Sequence, residues 1–206
     1  GGEEWQDEET TLSDEGWVLR MKVTLVNESG SQGRVNFEIG KEDENTAQSS
    51  SNGVRIEYHD SKALHVESTG DAGSNSGGMT SDAMVVNTPY WVEWVYEGTS
   101  STATIYTDEF VTEFGSTATS EMTGLTAQSY THLNARNPDW SNDGHHKDYH
   151  FDDIEIWNGV TTATGAPDII YNFETSVTAS SEVTIPEQPY VPAEDSWLYS
   201  YPNVPI

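Results

Sequence analysis

The sequence has no cysteine, so neither a disulfide framework nor a thiolate metal site is open to it. That absence by itself names no compartment. Basic residues are scarce: 8 Lys and Arg stand against 35 Asp and Glu, for a formal net charge of -27. A chain this acidic repels nucleic acid and anionic membranes, which removes both from the expected partners. Long apolar runs are missing too. None approaches the roughly 20 residues that a membrane-spanning helix needs, and no signal-peptide pattern is visible. There is no sustained helical stripe, so helix content is expected to be low. Nor is there a nucleophile elbow, a glycine loop of the kind that cradles phosphate, or a basic patch.

What the chain does contain points to sheets. Its 206 residues suffice for one all-β domain with appendages. Aromatics are plentiful (Trp 7, Tyr 10, Phe 5), as a packed sheet core requires. A mean hydropathy of -0.63 leaves the remaining surface very polar. The acidic excess fits three readings: a marine or saline setting, a surface that recruits divalent cations, or an ordinary acidic secreted protein. Salt favours the first, because the Debye length falls from about 8 Å at 0.15 M to about 3 Å at 1 M. An extracellular location is expected in each case.

Along the chain, residues 1–15 form an acidic lead-in with Trp5 as its only large anchor. Residues 17–26 alternate cleanly, with Trp17, Leu19, Met21, Val23 and Leu25 on one face and Arg20, Lys22 and Thr24 on the other. Arg20 and Lys22 are expected to pair with the acidic surface rather than to take part in chemistry. A turn is expected over 27–30, which also holds the sequon Asn27-Glu28-Ser29. Val35, Phe37 and Ile39 mark a second strand, and Val54, Ile56, Tyr58, Leu64 and Val66 mark a hairpin. Residues 68–82 are rich in Gly, Ser and Asn and read as an exposed loop. Residues 90–96 are apolar on both faces around the single charge of Glu93, as in a central strand covered on both sides. Strands are further expected over 102–107, 110–114, 130–136 and 169–173.

The stretch Phe151-Asp152-Asp153-Ile154-Glu155-Ile156-Trp157-Asn158-Gly159 is a strand whose alternation slips. Phe151 begins an inward phase, and Ile154 and Ile156 resume it one residue out of step. A β-bulge at the Asp pair is the device that permits this. From Val183 onward the character changes. Five of the eight prolines lie here, interleaved with Tyr190, Trp197, Tyr199 and Tyr201. Proline favours an extended arm, and so many aromatics point to burial against the body or against a neighbouring copy.

Two motifs together resemble the laminin-G-like, concanavalin A-like jelly-roll family. One is Pro89-Tyr90-Trp91-Val92-Glu93-Trp94-Val95-Tyr96-Glu97-Gly98 followed by Thr104-Ile105-Tyr106; the other is the 151–159 stretch. The resemblance covers roughly 16–175. It extends more loosely to domains of surface proteins of marine archaea and of viral appendages. It implies an all-β, two-sheet antiparallel jelly-roll sandwich over 16–175, an N-terminal arm over 1–15 and a C-terminal arm over 176–206. It also implies Ca²⁺ in some members, and carbohydrate or protein binding more often than catalysis.

Candidate sites follow from the residue types. Ca²⁺ takes six to eight oxygens, and Asp139, Asp143 and Asp148, with Asn142, crowd the loop before the late strand. Asp152 resembles the closing-strand aspartate that helps bind calcium in some relatives; the alternative is an Asp that holds the bulge through local hydrogen bonds. His145, His146 and His150 with Asp148 read as a solvated polar loop before a transition-metal site. Sugars need flat aromatics beside hydrogen-bonding groups, which singles out Trp140, Tyr149, Arg136 and Asn134, with Trp91 from a neighbouring strand; the alternative is core or rim aromatics. Asp153 and Glu155, two apart on a strand, lie roughly 6.6 Å apart, a permissive spacing for glycoside hydrolysis. The Glu-x-Asp-x-x-Glu signature of glucanases with this fold is absent. The expected function is a non-enzymatic structural or adhesive module of an envelope, filament or virion. It would contact glycans or neighbouring copies, with Tyr190, Trp197, Tyr199 and Tyr201 locking subunits together. A Ca²⁺-dependent carbohydrate-binding module is the alternative, and a polysaccharide hydrolase or lyase the third.

Overall fold

In the computed structural model, the described residues are 4–7, 11–29, 35–40, 53–58, 63–70, 73–80, 82–121, 132–136, 146–171 and 177–178. They form thirteen strands: β1 (Glu4–Asp7), β2 (Trp17–Ser29), β3 (Val35–Gly40), β4 (Gly53–Tyr58), β5 (Leu64–Gly70), β6 (Gly73–Met79), β7 (Pro89–Tyr96), β8 (Ser100–Tyr106), β9 (Ala118–Glu121), β10 (His132–Arg136), β11 (His146–Asn158), β12 (Ile169–Tyr171) and β13 (Val177–Thr178). No helix occurs among the described residues.

The strands make a six-stranded sheet, ordered β1-β10-β3-β4-β5-β6, and a seven-stranded sheet, ordered β12-β11-β2-β7-β8-β9 with β13 also on β11. All pairings are antiparallel. The pair β2–β11 lies in one sheet and the pair β3–β10 in the other, so the two ends of the body cross between sheets side by side. This is the jelly-roll wrap that the resemblance implied.

Alternation decides which side chains meet between the sheets. Trp17, Leu19, Met21, Val23 and Leu25 of β2, Tyr90, Val92, Trp94 and Tyr96 of β7, and Tyr149, Phe151, Ile154 and Ile156 of β11 all face inward. Phe37, Ile39, Val54, Ile56, Leu64 and Val66 answer from the opposite sheet. Rings join the sheets: Phe37 lies 5.5 Å from Phe151 and 6.5 Å, edge to face, from Trp94. The one indole donor that needs a partner within β7–β8 finds it, as Trp94 Nε1 donates to Ser101 Oγ at 2.6 Å.

Several expectations are corrected here. The N-terminal lead-in is not separate from the body. Glu4–Asp7 pair with β10, and Leu12 is buried in the core. Asn158 fastens this segment: its Oδ1 accepts from Ser13 N at 2.8 Å, and its Nδ2 donates to the Thr11 carbonyl at 2.9 Å. Residues 27–29 continue β2 rather than turning, because His146, Lys147 and Asp148 pair with them. Within the expected loop over 68–82, Gly73–Met79 form an edge strand. A backbone ladder needs no apolar side chains, so GSNSGGM pairs with β5 despite lacking a strand pattern. Residues 110–114 form a loop, apart from a single bridge between Tyr106 and Glu113. Strand β7 is central, as expected, yet only its inner face is sealed; Trp91, Glu93 and Val95 stay partly open to solvent.

Candidate functional site: the outer face of the seven-stranded sheet

The register assembles an ordered polar and aromatic surface on the side of the seven-stranded sheet away from the core. Asp152, Lys22, Trp91 and Tyr106 stand in one row across β11, β2, β7 and β8. Glu155, Arg20, Glu93 and Thr104 stand in the next. Trp157, Val18, Val95 and Thr102 stand in the third. Directly opposed side chains lie about 4.5–5.5 Å apart at Cβ, close enough to act together.

The expected bulge makes the first two rows possible. Asp152 pairs with Lys22 and Glu155 with Arg20, so three steps along β11 match two along β2. The extra residue is Asp153, held at φ 50. Asp152 Oδ1 accepts from the Asp153 amide at 3.0 Å, the local bond that an aspartate at a bulge supplies. The register sets Asp152 and Glu155 in the rows of Lys22 and Arg20, and Asp153, the extra residue of the bulge, is exposed between them, its charge acting on both carboxyls.

Arg20 is the hub. Its Nε and one terminal nitrogen donate to Glu93 Oε2 at 2.7 and 2.6 Å. Its guanidinium lies 4.3 Å from the centroid of Phe110 and 5.4 Å from that of Trp157. Lys22 reaches over Trp91, with Nζ 6.0 Å from the ring centroid. In the third row Val18 and Trp157 are buried, Val95 and Thr102 are partly exposed, and Trp157 Nε1 donates to the Gly165 carbonyl at 3.2 Å. All four residues of the Trp91 row keep partial exposure, and no ring is stacked on its Lys22 from the 107–113 loop as Phe110 is on Arg20.

Burial acts on the carboxyls here. Desolvation raises the pKa of Asp152, and the neighbouring Asp153 charge adds to this, while the Asp153 amide, Lys22 and His150 oppose it. Desolvation likewise raises Glu155. Arg20 offsets part of that rise, and Asp153 and Glu109 add to it. Arg20 is already committed to Glu93, which leaves Glu155 incompletely compensated. The Tyr106 hydroxyl is pushed up by burial, then by Glu93 and Glu113.

A loop folds back over this face. Asp108 Oδ1 accepts from the amides of Val111 and Thr112 at 3.2 and 2.6 Å, and Oδ2 accepts from Thr112 Oγ1 at 2.8 Å. The Thr112 bonds hold the Asp108 carboxyl below its usual range. Phe110 sits in the left-handed region at φ 59, where a bulky side chain costs about 1–3 kcal/mol. Its ring meets Tyr106 edge-on at 5.8 Å.

The candidate residues separate accordingly. Trp91 stands on the open face. Tyr149 does not: it is fully buried and stacks 6.5 Å from Phe151, so the inward phase of β11 makes it a core residue. Asn134 and Arg136 belong to β10 in the other sheet and therefore do not join Trp91. Trp140, Asp139, Asn142, Asp143 and His145 lie outside the described residues, as do Tyr190, Trp197, Tyr199 and Tyr201. Asp148 is placed only by its pairing with Asn27, and His146 by its pairing with Ser29. Among the described residues, no group of three His, Asp or Glu side chains is placed to hold a metal. Tyr106 and Phe110 were not singled out from sequence. Arg20 and Lys22 were expected to pair with acidic groups rather than to form a site, and Arg20 does pair with Glu93, the single charge of its strand.

No family model matches the sequence, and no curated protein matches it. Solved structures do. The carbohydrate-binding module CBM66 from Bacillus subtilis is 10% identical with a TM-score of 0.45, over 71% of this chain and 76% of that one. Sheep galectin-11, in complex with glycerol, is 13% identical with a TM-score of 0.45, over 76% and 97%. A heptameric SAP-like pentraxin from Limulus polyphemus is 9% identical with a TM-score of 0.48, over 86% and 84%. At these values no ligand or activity is carried over from them.

Proposed function

We propose that this protein is a non-enzymatic glycan-binding module that holds sugar on the outer face of its seven-stranded sheet. The observation that carries this is the partly exposed row Asp152–Lys22–Trp91–Tyr106. A sugar presents flat CH faces and a fringe of hydroxyls. Trp91 offers a flat ring to the former, and the carboxylate, ammonium and phenol beside it offer acceptors and donors to the latter. Four strands set the row's span at about 14 Å, room for an oligosaccharide lying across the strands. The acidic composition supports an extracellular setting. The Pro/aromatic composition of 176–206 supports contacts with neighbouring copies in a surface assembly.

The test is titration calorimetry with a panel of hexasaccharides (cello-, xylo-, manno- and chitohexaose), each with 2 mM calcium and with chelator. At least one is expected to bind, and Trp91→Ala is expected to weaken it about tenfold or more, the cost of a central aromatic anchor. A panel silent in both conditions, or affinity unchanged in Trp91→Ala, overturns the reading. Binding lost on chelation would add calcium to the site.

A further inference from the structure

We infer that the 107–113 loop is a preformed wall of this face and that Phe110 is its specificity-determining residue. The inference rests on the glycan-binding reading above.

Three independent features converge on this loop. Phe110 holds a positive φ that its bulk disfavours. Such strain persists only where the surroundings over-determine it, and here they do. Asp108 caps the loop with three accepted hydrogen bonds. The Phe110 amide donates to the Asp108 carbonyl, the Thr107 amide to the Thr112 carbonyl, and the Phe114 amide to the Ile105 carbonyl. The tip residue next to Phe110 does not share its burial: Val111 is 79% exposed. The scaffold thus turns one ring inward and leaves its neighbour in water.

The destination of that ring gives the loop its role. Phe110 lies over Arg20, two strands in from β8, the strand the loop leaves. It caps the Arg20–Glu93 pair of the second row and borders the first at Tyr106, whose ring it meets edge-on at 5.8 Å. In the third row Trp157 and Val18 are buried. The face is therefore a shelf, with the Trp91 row as its floor and Phe110 standing along one side. A ligand on Trp91 meets the exposed part of the Phe110 ring at its flank, and the wall bars it from reaching the Arg20 guanidinium. Phe110 is a contact residue in this scheme. Asp108, whose carboxyl is taken up by the loop's own Val111 and Thr112, is a positioning residue that acts through it.

The experiment compares Phe110→Gly, Asp108→Ala, Val111→Ser and Trp91→Ala on the same hexasaccharide panel, with thermal unfolding of each. Glycine adopts a φ near +60° without strain, so Phe110→Gly removes the ring and keeps the loop path. It is expected to bind the preferred hexasaccharide about three- to tenfold more weakly, the range for one aromatic contact. Asp108→Ala is expected to move affinity the same way by about threefold without touching ligand, as a loosened wall would. Val111→Ser is expected to bind like the native protein. Native affinity in both Phe110→Gly and Asp108→Ala, with binding lost in Trp91→Ala, overturns the wall and leaves the glycan face standing. Native affinity in Trp91→Ala overturns the face itself.

Discussion

A methyl group at position 16 would come within 2.8 Å of Thr161 Cγ2 and 3.0 Å of the Tyr96 carbonyl oxygen. Gly16 is the point where the N-terminal segment, the end of β7 and the loop after β11 meet, and its carbonyl accepts from the Gly159 amide at 2.9 Å. One of the two close atoms is backbone and cannot rotate away. Gly16→Ala is accordingly expected to lower stability by about 1–3 kcal/mol, measured as a lower denaturation midpoint with an unchanged slope. A midpoint equal to the native one would show that the segment can shift at no cost. The neighbouring Trp17 explains why this matters. Its ring stacks on Tyr96 at 5.4 Å and meets Trp94 edge-on at 5.0 Å. A displaced residue 16 would disturb the largest aromatic group in the core.

At the scale of an element, β11 shows what sequence can and cannot convey. Its bulge was legible because the side-chain period is two, and a break in phase at Asp152-Asp153 leaves no other regular solution. Which carboxylates then share a face was not legible from spacing alone. That depends on where the bulge falls, and the register adds Asp152 to the outer row while Asp153 remains as the extra residue beside Glu155. Strand β6 was hidden for the opposite reason, since its pairing is made by backbone and its sequence shows no alternation. Phe110 was hidden as well, because its partner Arg20 is distant in sequence and only the fold brings the two together. The Asp152 carboxyl carries a prediction of its own. Its folded pKa is raised, so its contribution favours folding below the unfolded value and is lost as pH rises through the folded one. Asp152→Asn keeps an acceptor for the Asp153 amide and removes the charge. It is expected to melt higher than the native protein at pH 7 and equal to it near pH 3. A lower melting temperature at pH 7 would mean that the charge stabilises the bulge.

For the whole molecule, the dominant fact is a net charge of -27 on 206 residues. The fold class could be read in advance, since alternation in β2, β7 and β11 defines three inward faces that only a second sheet can cover. The share of the chain drawn into that sandwich could not. Residues 4–7 and 11–16 look like an acidic tail, yet backbone pairing and the Asn158 side chain bind them to the body. Self-repulsion among the carboxylates opposes compaction, and screening relieves it as the Debye length falls from about 30 Å at 0.01 M salt to about 3 Å at 1 M. The melting temperature is expected to climb steadily between those NaCl concentrations. A flat profile would show that the charges are spaced widely enough not to interact.

The pairing of β2 with β11 has a consequence in time. Trp17 finds Asn158, and Ser29 finds His146, across well over a hundred intervening residues. During synthesis at about 5–20 residues per second, β2 leaves the ribosome roughly 6–28 s before its partner does. The meander β7–β8–β9 is local and can close on β2 from one side in that interval. The other side of β2 remains an unpaired strand edge, a template on which the same segment of another nascent chain can settle. The last third of the chain thus doubles as the guard of the first, and its arrival commits each copy to its own fold.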